Sequence, residues 1–62
     1  MTKEKFEAFL RVRDSGITNM FDTKQVIKLA DELSEVILTR EECIECMQKF
    51  SNYLKEYHLT AD

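Results

Sequence analysis

The chain has 62 residues, enough for one domain and too few for two. It is 44% hydrophobic and 34% charged, with one glycine and no proline, which excludes both a disordered chain and a turn-rich sandwich or barrel and leaves a helical domain. Its net charge of -3 excludes the basic footprint with which most DNA and RNA binders neutralise phosphate, and a core one side-chain layer deep excludes a deep substrate pocket.

Thr2 can cap a first helix over about 3–15, with Phe6, Phe9 and Leu10 at the i, i+3, i+4 spacing of an apolar stripe. Gly16, the single glycine, sits where that helix needs a left-handed residue to close its last carbonyls, and Ile17 can fold back as the accompanying apolar contact. Asp22 followed by Gln25 reads as a reciprocal cap for a second helix over about 23–34, with Met20 or Phe21 as its hydrophobic staple. Val26, Leu29, Ala30 and Leu33 then fall on one face. Ser34 to Leu38 is expected to be a connector in which Val36, Ile37 and Leu38 are buried. Thr39 and Glu42 form a capping box, and the third and longest helix, about 40–57, carries Cys43, Cys46, Met47, Phe50, Tyr53, Leu54 and Tyr57 on one stripe. Residues 58–62 have no apolar pattern and are expected to fray. The predicted architecture is an all-α, small three-helix bundle spanning 1–62 as a single helical domain.

Met1 to Leu10 lacks the apolar stretch of a secretory segment, and no run approaches the roughly 18 apolar residues of a membrane span. The expectation is a soluble, cytoplasmic chain in which Cys43 and Cys46 stay reduced. Catalysis requires an acid, base or nucleophile held in a dry pocket. The single histidine, His58, falls in the expected fraying tail, and Ser15, Ser34 and Ser51 have no histidine at plausible reach, so the chain is not expected to be an enzyme.

Cys43-x-x-Cys46 has the spacing of half a tetrahedral zinc site. His58 comes twelve residues after Cys46, a rise of about 18 Å along a helix, so it cannot complete that site within one straight helix. Zinc would need ligands from another helix, or Cys43 and Cys46 of a second copy across a homodimer axis. Against this stands the reading of both cysteines as small core residues, which their place on the apolar stripe favours. A redox role is third, because the pair lies one turn inside the helix, away from the terminal dipole that lowers a thiol pKa most.

Charge is unevenly spread: residues 1–30 carry a net of +2 and residues 31–62 a net of -5. Residues 31–45 alone hold six acids against Arg40. Most such runs are solvated faces. The sharper reading makes Asp31, Glu32, Glu35, Glu41 and Glu45 an acidic, partner-binding surface that imitates nucleic-acid phosphates, with half-exposed Tyr53 and Tyr57 as aromatic anchors.

The stretch Arg11 to Asp22, R-V-R-D-S-G-I-T-N-M-F-D, resembles a segment of small, functionally uncharacterised proteins of phages, prophages and other mobile elements of low-GC Gram-positive bacteria. The resemblance covers roughly residues 6–30 and implies a genomic context. Small acidic helical proteins of this kind often bind a host enzyme, and in size and charge the chain is similar to anti-CRISPR proteins. The expected function is therefore a non-enzymatic protein-interaction module, an inhibitor of a host defence nuclease acting through an acidic helical face, with a host protein as partner and no direct contact with nucleic acid or membrane. The alternatives are a zinc-stabilised, dimeric structural module, and a three-helix DNA-binding regulator. The last is opposed by the carboxylates Glu41 and Glu42 at the start of its candidate recognition helix.

Overall fold

The computed structural model describes residues 1–16 and 22–59. Four helices follow one another: α1 (Lys3–Ser15), α2 (Thr23–Ser34), α3 (Arg40–Gln48) and α4 (Phe50–Glu56). There is no strand among the described residues.

The helix ends follow from local chemistry. Thr2 Oγ1 accepts from the backbone N–H of Lys5, and Gly16 closes α1 in the left-handed region at φ 64°, its N–H bonded to the Arg13 carbonyl. Asp22 caps α2 by accepting from Gln25 N–H. The Thr39/Glu42 capping box is complete: Glu42 N–H donates to Thr39 Oγ1 at 3.1 Å and Thr39 N–H donates to Glu42 Oε1 at 3.0 Å. The parts assigned to Ile17, Met20 and Phe21 lie outside the described residues.

Two helix stops use positive-φ residues other than glycine. Glu35, at φ 54°, ends α2 and turns its own N–H onto the Asp31 carbonyl at 2.9 Å. His58, at φ 56°, donates to the Lys55 carbonyl while Leu59 N–H reaches the Leu54 carbonyl at 2.9 Å. These paired bonds are the Schellman closure of a helix end. His58 and Leu59, expected to fray, are held by it, and Leu59 packs on the core.

The three-helix expectation fails at Lys49. Its backbone, at φ -110° and ψ 26°, leaves the helical well and divides the expected third helix into α3 and α4. No glycine or proline marks the break, and helical bonds run across it, from Lys49 N–H to the Glu45 carbonyl at 2.9 Å and from Tyr53 N–H to the Lys49 carbonyl at 3.0 Å. Beyond it, Phe50, Tyr53 and Tyr57 all meet the Phe6 ring, at centroid distances of 5.7, 5.4 and 6.0 Å.

Phe6, on α1, has no solvent exposure and lies at the centre of the core, stacked also near Phe9 at 6.4 Å. Val12, Val26, Ala30, Leu38, Cys43 and Cys46 fill the layer between α1, α2 and α3. Such edge-tilted aromatic contacts add to burial by aligning the positive edge of one ring with the negative face of another. Arg13 closes the top, its guanidinium carbon 5.1 Å from the Phe50 ring centroid. Among the described residues one ion pair joins distant helices: Lys5 Nζ on α1 meets Glu42 Oε2 at the start of α3.

Candidate functional site

The acidic residues fall at the corner where α2 ends, the 35–39 connector crosses, and α3 begins. Asp31, Glu32, Glu35 and Glu41 are exposed, because Val26 and Ala30 on α2 and Cys43 and Cys46 on α3 occupy the core-facing positions. Among the described residues the ion pairs are Lys3–Glu7, Lys5–Glu42 and Arg13–Asp14, so no cation neutralises these four carboxylates. Glu42 is the exception within the run. The Lys5 ammonium and the Thr39 backbone N–H both hydrogen-bond its carboxylate and hold its pKa below the usual carboxylate range.

Glu45 is half-buried and faces inward along α3 towards Tyr53. Tyr53 is only 9% exposed, packed on Phe6 and stacked on Tyr57 at 5.8 Å. Its phenol pKa is pushed up to about 12, by desolvation first and then by hydrogen bonding to Glu45. Tyr57 is half-buried, and its hydroxyl donates to the Met1 carbonyl at 2.6 Å. Its pKa is also raised, by desolvation and then by the charge of Glu56. The seven residues read from the sequence as one binding set therefore separate. Asp31, Glu32, Glu35 and Glu41 form an outward surface, whereas the two tyrosines, expected half-exposed, spend most of their surface within the domain.

The same corner holds what the sequence reading missed. Ile37, expected to be buried, is 74% exposed, and Leu33 is 39% exposed. The connector is non-helical, and its burial alternates: Val36 in, Ile37 out, Leu38 in. An extended chain sends successive side chains to opposite sides, so three consecutive aliphatics cannot all enter one core from it. The sequence carries no signal for this, because Glu35, which ends α2 in the left-handed region, is not a glycine and the three aliphatics are alike in hydropathy.

Cys43 and Cys46 have no solvent exposure. Burial, followed by the nearby Glu42 charge, raises the Cys43 pKa; burial, followed by Cys43 and Glu45, pushes Cys46 up to about 12. Metal binding needs thiolate, and these surroundings favour the neutral thiol. Among the described residues no three His, Cys, Asp or Glu side chains come together as a metal-holding group. The Cys46 thiol donates to the Met1 thioether, 3.9 Å from its Sγ. An open groove of about 160 Å³ separates α1 from the end of α2, lined in part by Glu4, Glu7, Arg11 and Ser34. Arg11 Nη1 crosses it to the Leu33 carbonyl at 3.3 Å, which ties the end of α2 to α1.

The fold and this surface define a small all-helical domain; among the described residues, no helix is long and apolar enough to cross a membrane. The chain belongs to the family described as Domain of unknown function (DUF5049), whose model matches residues 1–58, from the cap of α1 to the left-handed residue that closes α4. No curated protein matches the chain. No solved structure matches it either.

Proposed function

We propose that the chain is a non-enzymatic interaction module that docks the acidic corner between α2 and α3 on a basic protein surface. The observation that carries this reading is the outward, unneutralised placement of Asp31, Glu32, Glu35 and Glu41 around one short connector. Four carboxylates presented by two capped helix ends give a fixed pattern of negative charge, which steers encounter with a complementary positive groove. Basic grooves on proteins commonly exist to hold nucleic-acid phosphates. On this reading the groove belongs to a host defence nuclease, the anti-CRISPR-like function, and the resemblance of Arg11 to Asp22 to mobile-element proteins is the genomic context that supports it. Exposed Glu41, beside Glu42 at the start of α3, argues against laying that helix on DNA directly.

The test compares the protein with a Glu32→Lys, Glu35→Lys, Glu41→Lys variant, all three exposed, both immobilised and exposed to lysate of a low-GC Gram-positive host. Glu42 is spared because it caps α3. The wild type should retain a nucleic-acid-binding protein that added duplex DNA and raised salt both release, and the variant should not. Equal capture by both proteins at low and high salt would refute the reading.

A further inference from the structure

Leaving a large aliphatic side chain in water forgoes burial, and in a domain this small most such side chains are needed for the core. Among the described residues the exposed large hydrophobics are Ile37 and Leu33, and they lie within five residues of each other at the acidic corner. Ile37 cannot retreat. Val36 and Leu38 are both buried, so the alternation of the connector fixes Ile37 outward, and turning it in would turn both neighbours out. Both ends of the connector are held as well, by the Glu35 backbone bond to Asp31 and by the Thr39 bond to Glu42. The side chain is thus presented on a preorganised loop, which lowers the ordering cost of binding.

Resting on the acidic-surface reading above, we infer that Ile37, with Leu33, is an apolar anchor, and that its partner is an amphipathic basic segment of another protein: cationic side chains flanking an apolar one. An apolar contact ringed by charge is the arrangement of an interface hot spot inside a polar rim. The charges select the occupant. A second copy docked symmetrically, corner on corner, would set Asp31, Glu32, Glu35 and Glu41 against a surface of like sign, and an anionic lipid surface would meet the same repulsion. A uniformly cationic partner would satisfy the rim and leave Ile37 unpaired.

Two synthetic peptides of equal length and charge, one alternating Lys and Leu blocks in a helical pattern and one with every Leu replaced by Ser, distinguish these cases by calorimetric titration. The wild type should bind the Lys/Leu peptide about tenfold or more tighter than the Lys/Ser peptide, the order of effect expected of a buried anchor. Ile37→Ser should remove most of that preference while leaving the melting temperature and the Lys/Ser affinity unchanged, because its side chain is outside the core. The Glu32→Lys, Glu35→Lys, Glu41→Lys variant should lose both peptides. Equal wild-type affinity for the two peptides, or an Ile37→Ser variant that retains the preference, overturns the anchor while leaving the acidic reading standing. Failure of the triple reversal to weaken Lys/Ser binding overturns the acidic reading, and the anchor proposal with it. Sedimentation equilibrium adds a further check: a homodimer dissolved by Ile37→Ser would replace the basic occupant with a second copy.

Discussion

Removing the Lys5–Glu42 pair while keeping its packing isolates how much one long-range charge contact holds α1 on α3. Lys5→Met retains the aliphatic stem, and Glu42→Gln retains an oxygen that can accept the Thr39 N–H bond of the capping box. Two unit charges about 4 Å apart attract by about 4 kcal/mol at an effective dielectric of about 20, but desolvation and side-chain ordering reduce exposed pairs to about 0.2–1 kcal/mol. Side-chain exposure of 38% for Lys5 and 21% for Glu42 puts this pair at the sheltered end of that range. A double-mutant cycle by urea unfolding at pH 7 should therefore give a coupling of about 1 kcal/mol, equivalent to about 4–8 °C in Tm for a domain of this size. The pH dependence gives a second readout. Because folding lowers the Glu42 pKa, its stabilisation is complete above the ordinary carboxylate value and disappears as pH falls through the lower, folded value. Glu42→Gln should lose less stability than the wild type across that acid limb. A coupling below about 0.3 kcal/mol, or identical acid limbs, would show that the contact is no more than a solvated surface pair.

Gly16→Ala should lower stability in urea by about 1 kcal/mol; among the described residues outside its chain neighbours no atom lies within 4 Å of the new Cβ, the cost arises at φ 64°, and an unchanged midpoint would refute it. Cys43 and Cys46 should resist iodoacetamide at pH 8 until urea unfolds the chain, and protein purified without chelator should carry well under one zinc per chain; fast native labelling or stoichiometric zinc would overturn the core-thiol reading.

Helix ends were legible because each is written in a few adjacent residues: Thr2, Gly16, Asp22 and the Thr39–Glu42 box need nothing from the rest of the chain. The break at Lys49 was not, since no stop residue stands there, and the contacts of Phe50, Tyr53 and Tyr57 with Phe6, more than forty residues earlier, are equally absent from the local sequence. Glu35 and His58 escaped notice for a related reason. A left-handed helix stop is read from glycine, and here the surrounding bonds impose it on residues with a Cβ. At the candidate site, the charge of the corner could be counted from the sequence, and its exposed aliphatic could not. Hydropathy marks Val36, Ile37 and Leu38 alike, and only the backbone path separates them. The tyrosines illustrate the converse, since aromatic position on a stripe does not reveal that a hydroxyl finds the Met1 carbonyl.

The break at Lys49 also sets an order of assembly. α4 has seven residues and no side-chain cap at its start, far below the length of about 12–15 residues at which an isolated helix persists in water. It therefore forms by docking, through contacts that join Phe6 to Tyr53 and Tyr57 across most of the chain. Closing so long a loop costs more chain entropy than pairing neighbouring helices such as α1 and α2, which favours the neighbours first. In the finished protein the same docking is the first to yield, and α4 is the unit whose backbone amides should exchange with solvent ahead of those in α1.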